Sequence, residues 1–204
     1  MVESVHGVGD FLEELKHETF EKYDDISTID QYQVALEAGC SEEEALQCCY
    51  ENSRDNARTP MQWSDAKHAG FTTGTPWLAV NPNYREINVA EQEEREYSVL
   101  NYYRKLIALR KAEDYRDTFT YGEFVPAYEE EESIFAYLRV NKEAGQKILV
   151  IGNYGKEACE VPSEGKIKKV LLSNFGKENQ IFDETVATQK LTLESCESVV
   201  IELE

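Results

Sequence analysis

The spacing of apolar residues changes near residue 115, and this change limits the folds that the chain can adopt. From Glu94 to Lys111 apolar residues recur every three or four positions without Gly or Pro, which predicts a helix. Short segments rich in β-branched and aromatic residues follow, separated by Gly, Asn, Pro or acidic clusters. The predicted strands are Thr118–Phe124, Ser133–Val140, Gln146–Asn153, Lys166–Ser173, Lys190–Leu193 and Ser198–Leu203. The pattern predicts an antiparallel β-domain that begins near Asp114–Asp117.

The residues before Glu94 are predicted to be mostly helical. The predicted helices are Asp10–Tyr23, Ile29–Ala38 and one from Ser41 to about Asn52. Gly39 ends the second helix, and Ser41 with Glu44 forms a capping box for the third. A short strand is expected at Met61–Trp63, and a loop punctuated by Gly, Pro and Asn then runs to about Glu91. Loops of that length are functional more often than not.

The charge of the chain excludes some classes of partner. Forty acidic residues against 21 basic ones give a formal net charge of −19, which repels nucleic acid and anionic membranes and leaves neutral sugars unaffected. The acidic runs Glu42–Glu44 and Glu129–Glu132 lack the alternate spacing of a calcium loop and are interpreted as solvated surface. No apolar run is long enough to span a membrane, and Met1–Ser4 does not open a signal peptide, so a cytoplasmic location is expected.

The cysteine and histidine residues indicate no metal site and no catalytic triad. The cysteines are odd in number and lack a paired spacing, and the histidines lie far apart. They are Cys40, Cys48, Cys49, Cys159 and Cys196, and His6, His17 and His68. Gly152–Gly155 lacks the Lys-Ser/Thr of a phosphate loop. No metal or other cofactor is therefore expected.

The segment Arg54–Trp63 concentrates polar recognition groups. It holds two guanidinium groups, a carboxylate and two amides, and it ends at an indole after Pro60, which disfavours helix. Arginine forks can hold vicinal hydroxyls, and an indole can cover an apolar sugar face. The segment is therefore either a sugar-binding loop or a structural loop stapled by Arg–Asp pairs.

Longer stretches around this segment resemble a known family. They are Ser53–Phe71, Thr72–Leu78, Val80–Tyr84, Ser98–Lys111, Tyr121–Phe124 and Ile134–Tyr137. In that order they resemble the eighth-strand region, the last barrel helix and the C-terminal β-domain of oligo-1,6-glucosidase-like α-glucosidases of the α-amylase family. The resemblance implies an α+β fold, with a remnant of a (β/α)8 barrel over residues 1–115 and a C-terminal antiparallel β-sandwich over residues 116–204.

The resemblance also shows what the chain lacks. Family members are retaining glycosidases, which use two carboxyl groups about 5 Å apart, and the α-amylase family adds a third. The Val-Gly-Glu and Asn-His-Asp contexts of these groups are absent, so no catalytic residue is assigned. Gly9–Asp24 resembles the helix before the fifth strand, whereas Asp25–Tyr32 resembles a segment well beyond the seventh. Asp24–Asp25 is therefore the candidate junction of an internal deletion, or else an ordinary Asp-Asp pair in a loop.

One residue of the segment matches a substrate contact of the family. Arg54 corresponds to an arginine that reaches the terminal glucose and pairs with an aspartate from the first part of the barrel. That aspartate is absent here, so Arg54 is expected to be exposed and without the aspartate that it would meet in a whole barrel, near a strand end or in the loop before it. Arg58, Gln62 and Trp63 are expected to hold the eighth strand and its loop in place, with Trp63 alternatively a sugar platform. Asp55 is expected to pair with an arginine.

Two functions follow from these features. The first is a C-terminal fragment of an α-glucosidase for α-linked gluco-oligosaccharides, inactive by itself and with its α-1,4 or α-1,6 preference decided by the missing barrel. The second is a non-catalytic, carbohydrate-associated β-domain that binds or pairs with another chain. Uncovered barrel edges predict self-association.

Overall fold

The structure is a computed structural model that describes residues 20, 23–178 and 189–204. The chain divides into two compact units, one ending at Glu94 and the other beginning at Arg95. The predicted helix Asp10–Tyr23 lies outside the described residues except for Phe20 and Tyr23. No described helix is long and apolar enough to cross a membrane.

Two capped helices open the described part of the first unit. Helix α1, Ile26–Glu37, begins after Asp25, whose side chain accepts a hydrogen bond from the Thr28 N–H. The helix predicted from Ile29 therefore starts three residues earlier, because Asp25 caps it. Helix α2, Glu42–Asn52, has the predicted capping box between Ser41 and Glu44.

The rest of the first unit is built from short turns. The 3₁₀ segments are Arg54–Ala57, Lys67–Gly70 and Pro82–Arg85, and helix α3 covers Val89–Glu94. The strand predicted at Met61–Trp63 is wrong, since none of the described strands falls there. The carbonyls of Gln62 and Trp63 accept hydrogen bonds from Val89 and Ala90 at the start of α3. A strand needs a neighbouring strand, and the described residues of this unit supply none.

The second unit begins with two helices. Helix α4, Val99–Lys111, starts after Ser98, whose side chain accepts a hydrogen bond from the Asn101 N–H. The helix predicted over Glu94–Lys111 is therefore interrupted at residues 95–98. Helix α5, Arg116–Tyr121, replaces most of the strand predicted at Thr118–Phe124. The chain turns at Gly122, where a Cβ would lie 2.5 Å from the Thr118 carbonyl oxygen, so only glycine fits this turn.

The described strands form two antiparallel sheets. They are β1 Glu123–Ala127, β2 Ile134–Asn141, β3 Gln146–Asn153, β4 Cys159–Pro162, β5 Ile167–Ser173, β6 Lys190–Leu193 and β7 Ser198–Leu203. One sheet has the order β1-β2-β3-β7-β5, and the other pairs β4 with β6. The bounds of β3, β6 and β7 are those predicted. Strand β4 was not predicted, because Glu160 and Pro162 within it are residues that strands disfavour.

Both sheets contribute to one apolar core. Leu149 and Ile201 of the larger sheet and Leu193 of the smaller one are almost completely buried in it. The next residues along the strands, such as Ile148 and Val200, face the opposite way and pack with residues of α4 and α5. This packing groups α4 with the sheet. The boundary between the compact units therefore falls between Glu94 and Arg95 in the sequence, about 20 residues before the predicted domain boundary at residues 115 and 116.

Candidate functional site

Two buried aspartates organise the start of the Arg54–Trp63 segment. The Asp25 carboxylate accepts hydrogen bonds from the backbone N–H and the hydroxyl of Thr28, at 3.2 and 2.8 Å. The Thr28 hydroxyl also lies 3.0 Å from the Ser53 hydroxyl. Asp25 therefore caps α1 and ties the start of this helix to Ser53, the residue that precedes the segment.

Asp55 draws the chain before α1 toward the same place. Its Oδ2 atom accepts the backbone N–H groups of Asp24 and Asp25, at 3.2 and 3.1 Å. Its Oδ1 atom pairs with the Arg58 guanidinium. The expectation that Asp55 pairs with an arginine is confirmed. A carboxylate with these three contacts is poorly placed to act as an acid or a nucleophile.

Asp25 and Asp55 share two arginines of the segment. Arg58 Nη2 contacts Asp55 Oδ1 and lies 3.7 Å from Asp25 Oδ1. Arg54 Nε lies 3.8 Å from the same Asp25 oxygen. Two carboxylates and two guanidinium groups thus balance in charge, which offsets part of the cost of burying the aspartates.

Asp25 is held in its ionised form. Burial acts to raise its pKa, but the two hydrogen bonds from Thr28 and the charges of Arg54 and Arg58 outweigh burial and lower the pKa below its ordinary value of 3.8. At neutral pH this carboxylate is therefore a fixed acceptor and counter-ion. It therefore carries no proton that it could donate to a substrate at that pH.

Arg54 has the predicted exposure, and its place in the chain differs from the expectation in one respect. Its side chain is 68% exposed, as predicted. It begins a 3₁₀ turn and does not end a strand. Asp25, next to the candidate junction, lies within ion-pair distance of Arg54, and it is a different residue from the aspartate that the resemblance implies. Sequence reasoning missed Asp25, although an Asp three residues before a Thr at a helix start is a capping signal that could have indicated it. The role of Arg54 in substrate binding stays a prediction.

The indoles of the segment and of the following loop are both exposed. Trp63 is 51% exposed and Trp77 is 71% exposed. The guanidinium carbon of Arg58 lies 5.8 Å from the centre of the Trp77 ring, within the range of a cation–π contact. Trp77 was not singled out from the sequence, because its contact with Arg58 joins residues that lie 19 positions apart.

A left-handed turn places Trp63. His68, Ala69 and Gly70 all have positive φ angles, of 57, 55 and 67°. The buried Ala69 carbonyl accepts the backbone N–H groups of Trp63 and Ser64, at 2.8 and 3.1 Å. The positive φ of Gly70 favours glycine there, and a Cβ at this position would also lie 2.7 Å from Ser64 Oγ, which would have to move.

Amide side chains hold the loop that follows. Gln62 Nε2 donates to Asn83 Oδ1 at 2.9 Å, which joins the segment to the Asn81–Tyr84 turn. Asn88 Oδ1 accepts the Glu91 N–H at 2.9 Å at the start of α3. The contact between Gln62 and Asn83 confirms the expected role of Gln62 in holding the loop, whereas the strand that it was also expected to hold is not formed.

The described residues contain no group of three or more His, Cys, Asp or Glu side chains that could hold a metal ion. All five cysteines are free, and Cys40, Cys48 and Cys196 are exposed. The site thus consists of arginine donors, an exposed indole and two carboxylates that are already engaged. Such a surface can bind a polar ligand, and it offers no free pair of carboxyl groups.

Comparisons with known proteins identify the class. The model of the α-amylase catalytic domain matches residues 14–122. The oligo-1,6-glucosidase of Bacillus cereus is 40% identical over 194 residues, 93% of this chain and 33% of that protein. The trehalose-6-phosphate hydrolase of Bacillus subtilis is 36% identical over 188 residues, 89% of this chain and 31% of that protein.

Solved structures agree with the sequence matches. The isomaltulose synthase of Klebsiella sp. LX3 superposes with a TM-score of 0.79 at 31% identity, over 96% of this chain and 34% of that chain. The trehalose-6-phosphate hydrolase of Bacillus licheniformis superposes with a TM-score of 0.78 at 34% identity, over 95% of this chain and 34% of that chain. The chain belongs to the α-amylase family of glycoside hydrolases. It spans about a third of the length of these relatives.

Proposed function

We propose that this chain is the C-terminal part of an α-glucosidase that acts on α-glucosidic bonds of short oligosaccharides, and that by itself it can hold a sugar but cannot cleave one. The observation that carries this proposal is the Arg54 guanidinium, which is largely exposed while both neighbouring aspartates are buried and hydrogen-bonded. The relatives named as oligo-1,6-glucosidases support the substrate class.

The absence of hydrolysis follows from transition-state arithmetic. A retaining glycosidase needs a nucleophile and an acid, and each factor of ten in rate is worth about 1.4 kcal/mol of barrier. Asp25 caps a helix and Asp55 binds two backbone N–H groups and Arg58, so neither is available for that chemistry. A binding contact stabilises the bound substrate as much as the transition state and leaves the chemical step nearly unchanged.

The finer architecture belongs to the same proposal. We take residues 1–115 as a remnant of the (β/α)8 barrel and residues 116–204 as the C-terminal domain, with a deletion junction at Asp24–Asp25. The matches, which cover most of this chain and about a third of each relative, support its being a part of such an enzyme. The junction rests on the resemblance of Gly9–Asp24 and Asp25–Tyr32 to separate segments of the family barrel. Aligning the sequenced genomic locus and transcript around codons 24 and 25 with an intact relative tests the junction. A break in the alignment at these codons, or codons for the missing strands between them, would support it, and an alignment that runs through them without a break would contradict it.

The location proposed for the chain is a reducing compartment such as the cytoplasm. Free cysteines that include three exposed ones support it, because exposed thiols persist where disulfides are kept reduced. Mass spectrometry after cells are lysed directly into denaturant and alkylating reagent would show all five thiols labelled, including the buried Cys49. A disulfide among them would contradict this location.

Activity and binding are tested separately. Purified chain is assayed with a nitrophenyl α-glucoside, isomaltose and maltose beside the Bacillus cereus oligo-1,6-glucosidase, and no turnover above the buffer rate is expected from the chain. Isomaltose binding is measured by ligand-observed NMR with the wild-type chain and Arg54→Ala. Turnover that survives repurification, or binding that Arg54→Ala leaves unchanged, would overturn the proposal.

A second candidate function is a β-domain that pairs with another chain. It is favoured by a row of aromatic rings on the larger sheet, in which Phe124 stacks on Tyr137 at 4.9 Å and Phe135 meets Tyr154 edge-on at 6.3 Å. Phe124, Phe135 and Tyr154 are more than half exposed. Sedimentation velocity of the wild-type chain and Phe135→Ser tests this candidate. A concentration-dependent dimer that the substitution removes would support it, and a monomer throughout would exclude self-pairing.

A further inference from the structure

We propose that the Trp77 indole is the apolar platform on which a neutral glucosyl ring lies beside Arg54, and that Arg58 is the positioning residue that holds this indole. The inference rests on the proposed function, because it adds a second contact to the same sugar site. It assigns to Trp77 the platform that sequence reasoning considered for Trp63.

The first argument is the exposure of Trp77. Its side chain is 71% exposed, against 51% for Trp63. An indole is a costly group to leave in water, and one that is both exposed and held in place is typical of a binding surface. Trp77 lies in the loop after the motif segment, within the residues that match the α-amylase catalytic-domain model.

The second argument is the chain of contacts that holds the ring. Arg58 Cζ lies 5.8 Å from the ring centre of Trp77. The same guanidinium pairs with Asp55 Oδ1 and lies 3.7 Å from Asp25 Oδ1. Both aspartates are buried, so they give the planar guanidinium a fixed support. The indole therefore has one side near a supported cation and most of its surface open to solvent.

The third argument places Arg54 next to this assembly. Arg54 Nε lies 3.8 Å from Asp25 Oδ1, the oxygen atom that Arg58 also approaches. Both arginines thus surround one carboxylate oxygen, and the donors of Arg54 that do not face Asp25 can reach solvent. Arginine donors beside an open indole suit a pyranose, which has hydroxyls at its rim and C–H groups on its faces.

The fourth argument concerns the charge of the ligand. The two guanidinium groups face two carboxylates, so the assembly carries almost no net charge, and the whole chain carries −19. An added phosphate would gain no free cation here and would be repelled at long range. The site is therefore expected to prefer isomaltose to trehalose-6-phosphate.

The test uses the two tryptophans as reporters. Trp63→Phe leaves Trp77 as the only tryptophan, and its emission is expected to change when isomaltose is added. Trp77→Phe leaves Trp63, whose emission is expected to stay unchanged in the same titration. The affinity measured by ligand-observed NMR is expected to fall roughly tenfold in Trp77→Ala, to recover in Trp77→Phe, and to stay near wild type in Trp63→Phe.

Arg58 is tested by the accessibility of the Trp77 ring together with the isomaltose affinity. In the Trp63→Phe background, Arg58→Lys keeps the charge but loses the planar fork, so acrylamide is expected to quench Trp77 more strongly before any sugar is added. Isomaltose affinity is expected to fall in the same variant. Circular dichroism of each variant confirms that the helices and sheets are retained.

The outcomes separate this inference from the proposed function. If Arg54→Ala abolishes isomaltose binding while Trp77→Ala matches the wild type, the platform is wrong and the proposed function stands. If the wild-type chain binds no isomaltose, the sugar-holding function fails and the platform fails with it. If trehalose-6-phosphate binds more tightly than isomaltose, the inference that the site takes a neutral sugar is wrong.

Discussion

The two compact units are stabilised by different interactions. In the unit that begins at Arg95, two sheets enclose an apolar core, and Leu149 and Ile201 are completely buried. In the described part of the other unit, many buried side chains are polar. They are Asp25, Thr28, Ser53, Asp55, Asn81 and Asn88.

This difference explains how each unit responds to change. An apolar core is non-directional and tolerates sequence change when its volume is kept. A buried polar network keeps its energy only while every partner is present and correctly charged. The unit that ends at Glu94 therefore has a defined geometry around Arg54, and its stability is sensitive to single polar substitutions and to acid. Both tryptophans lie in that unit, so tryptophan emission reports on it.

The largest effect is expected in the apolar core. Ile201→Ala removes a completely buried side chain and is expected to lower the free energy of unfolding of the sheet unit by about 2–5 kcal/mol. Urea denaturation followed by far-UV circular dichroism measures this loss. The matched control is Ile107→Ala on α4, half exposed, which is expected to cost about 1 kcal/mol or less. Equal losses in the two variants would contradict the core described here.

The next effect is expected in the polar network. Asp55→Ala leaves the N–H groups of Asp24 and Asp25 and the Arg58 guanidinium without their acceptor, at an expected cost of about 2–3 kcal/mol. The 35% exposure of Arg58 lets water replace part of the lost contact and keeps the cost below that of a fully buried pair. Urea denaturation followed by tryptophan emission measures it. A midpoint equal to that of Asp65→Ala, an exposed aspartate in the same unit, would rule out a stabilising role for Asp55.

Acid is expected to lower the free energy of unfolding of the unit that ends at Glu94, through Asp25. Its pKa is lowered in the folded chain, so its contribution to stability is complete well above 3.8 and is lost as the pH falls through 3.8 toward the lower folded value. Tryptophan-monitored urea midpoints are measured from about pH 7 to about pH 3. In Asp25→Asn the urea midpoint is expected to fall less steeply below about pH 4, because the amide does not titrate. An unchanged slope would assign the decline to other groups.

The smallest effect on stability is expected at Arg54. The side chain is 68% exposed and its ion pair with Asp25 is long, so Arg54→Ala is expected to change the free energy of unfolding by no more than about 0.5 kcal/mol. The same variant is expected to lose isomaltose binding. A loss of stability as large as that of Asp55→Ala would make Arg54 a structural residue.

The sequence predicted best those elements whose signal is local. The capping box at Ser41 and Glu44 and the strands β3, β6 and β7 depend on neighbouring residues or on an alternation along one segment, and the structure has them as predicted. The strand at Met61–Trp63 failed because its residues fit a strand but the described residues offer no pairing partner. Helix α5 was read as a strand because Thr, Phe and Tyr favour strands, while Gly122 and packing on the sheet decide otherwise.

Residue identity alone determined the family, the arginine-rich segment and the absence of the family's catalytic carboxylate contexts, because these are properties of short contiguous motifs. Tertiary structure decided what the segment does with its charges. Asp25 and Arg58 lie 33 positions apart, and Arg58 and Trp77 lie 19 apart, yet folding brings the members of both pairs together. No local pattern encodes such contacts, because each joins residues that only the folded path of the chain brings together. The sequence therefore determined which groups are available, and the fold determined that both aspartates are engaged while Arg54 and Trp77 remain open to solvent.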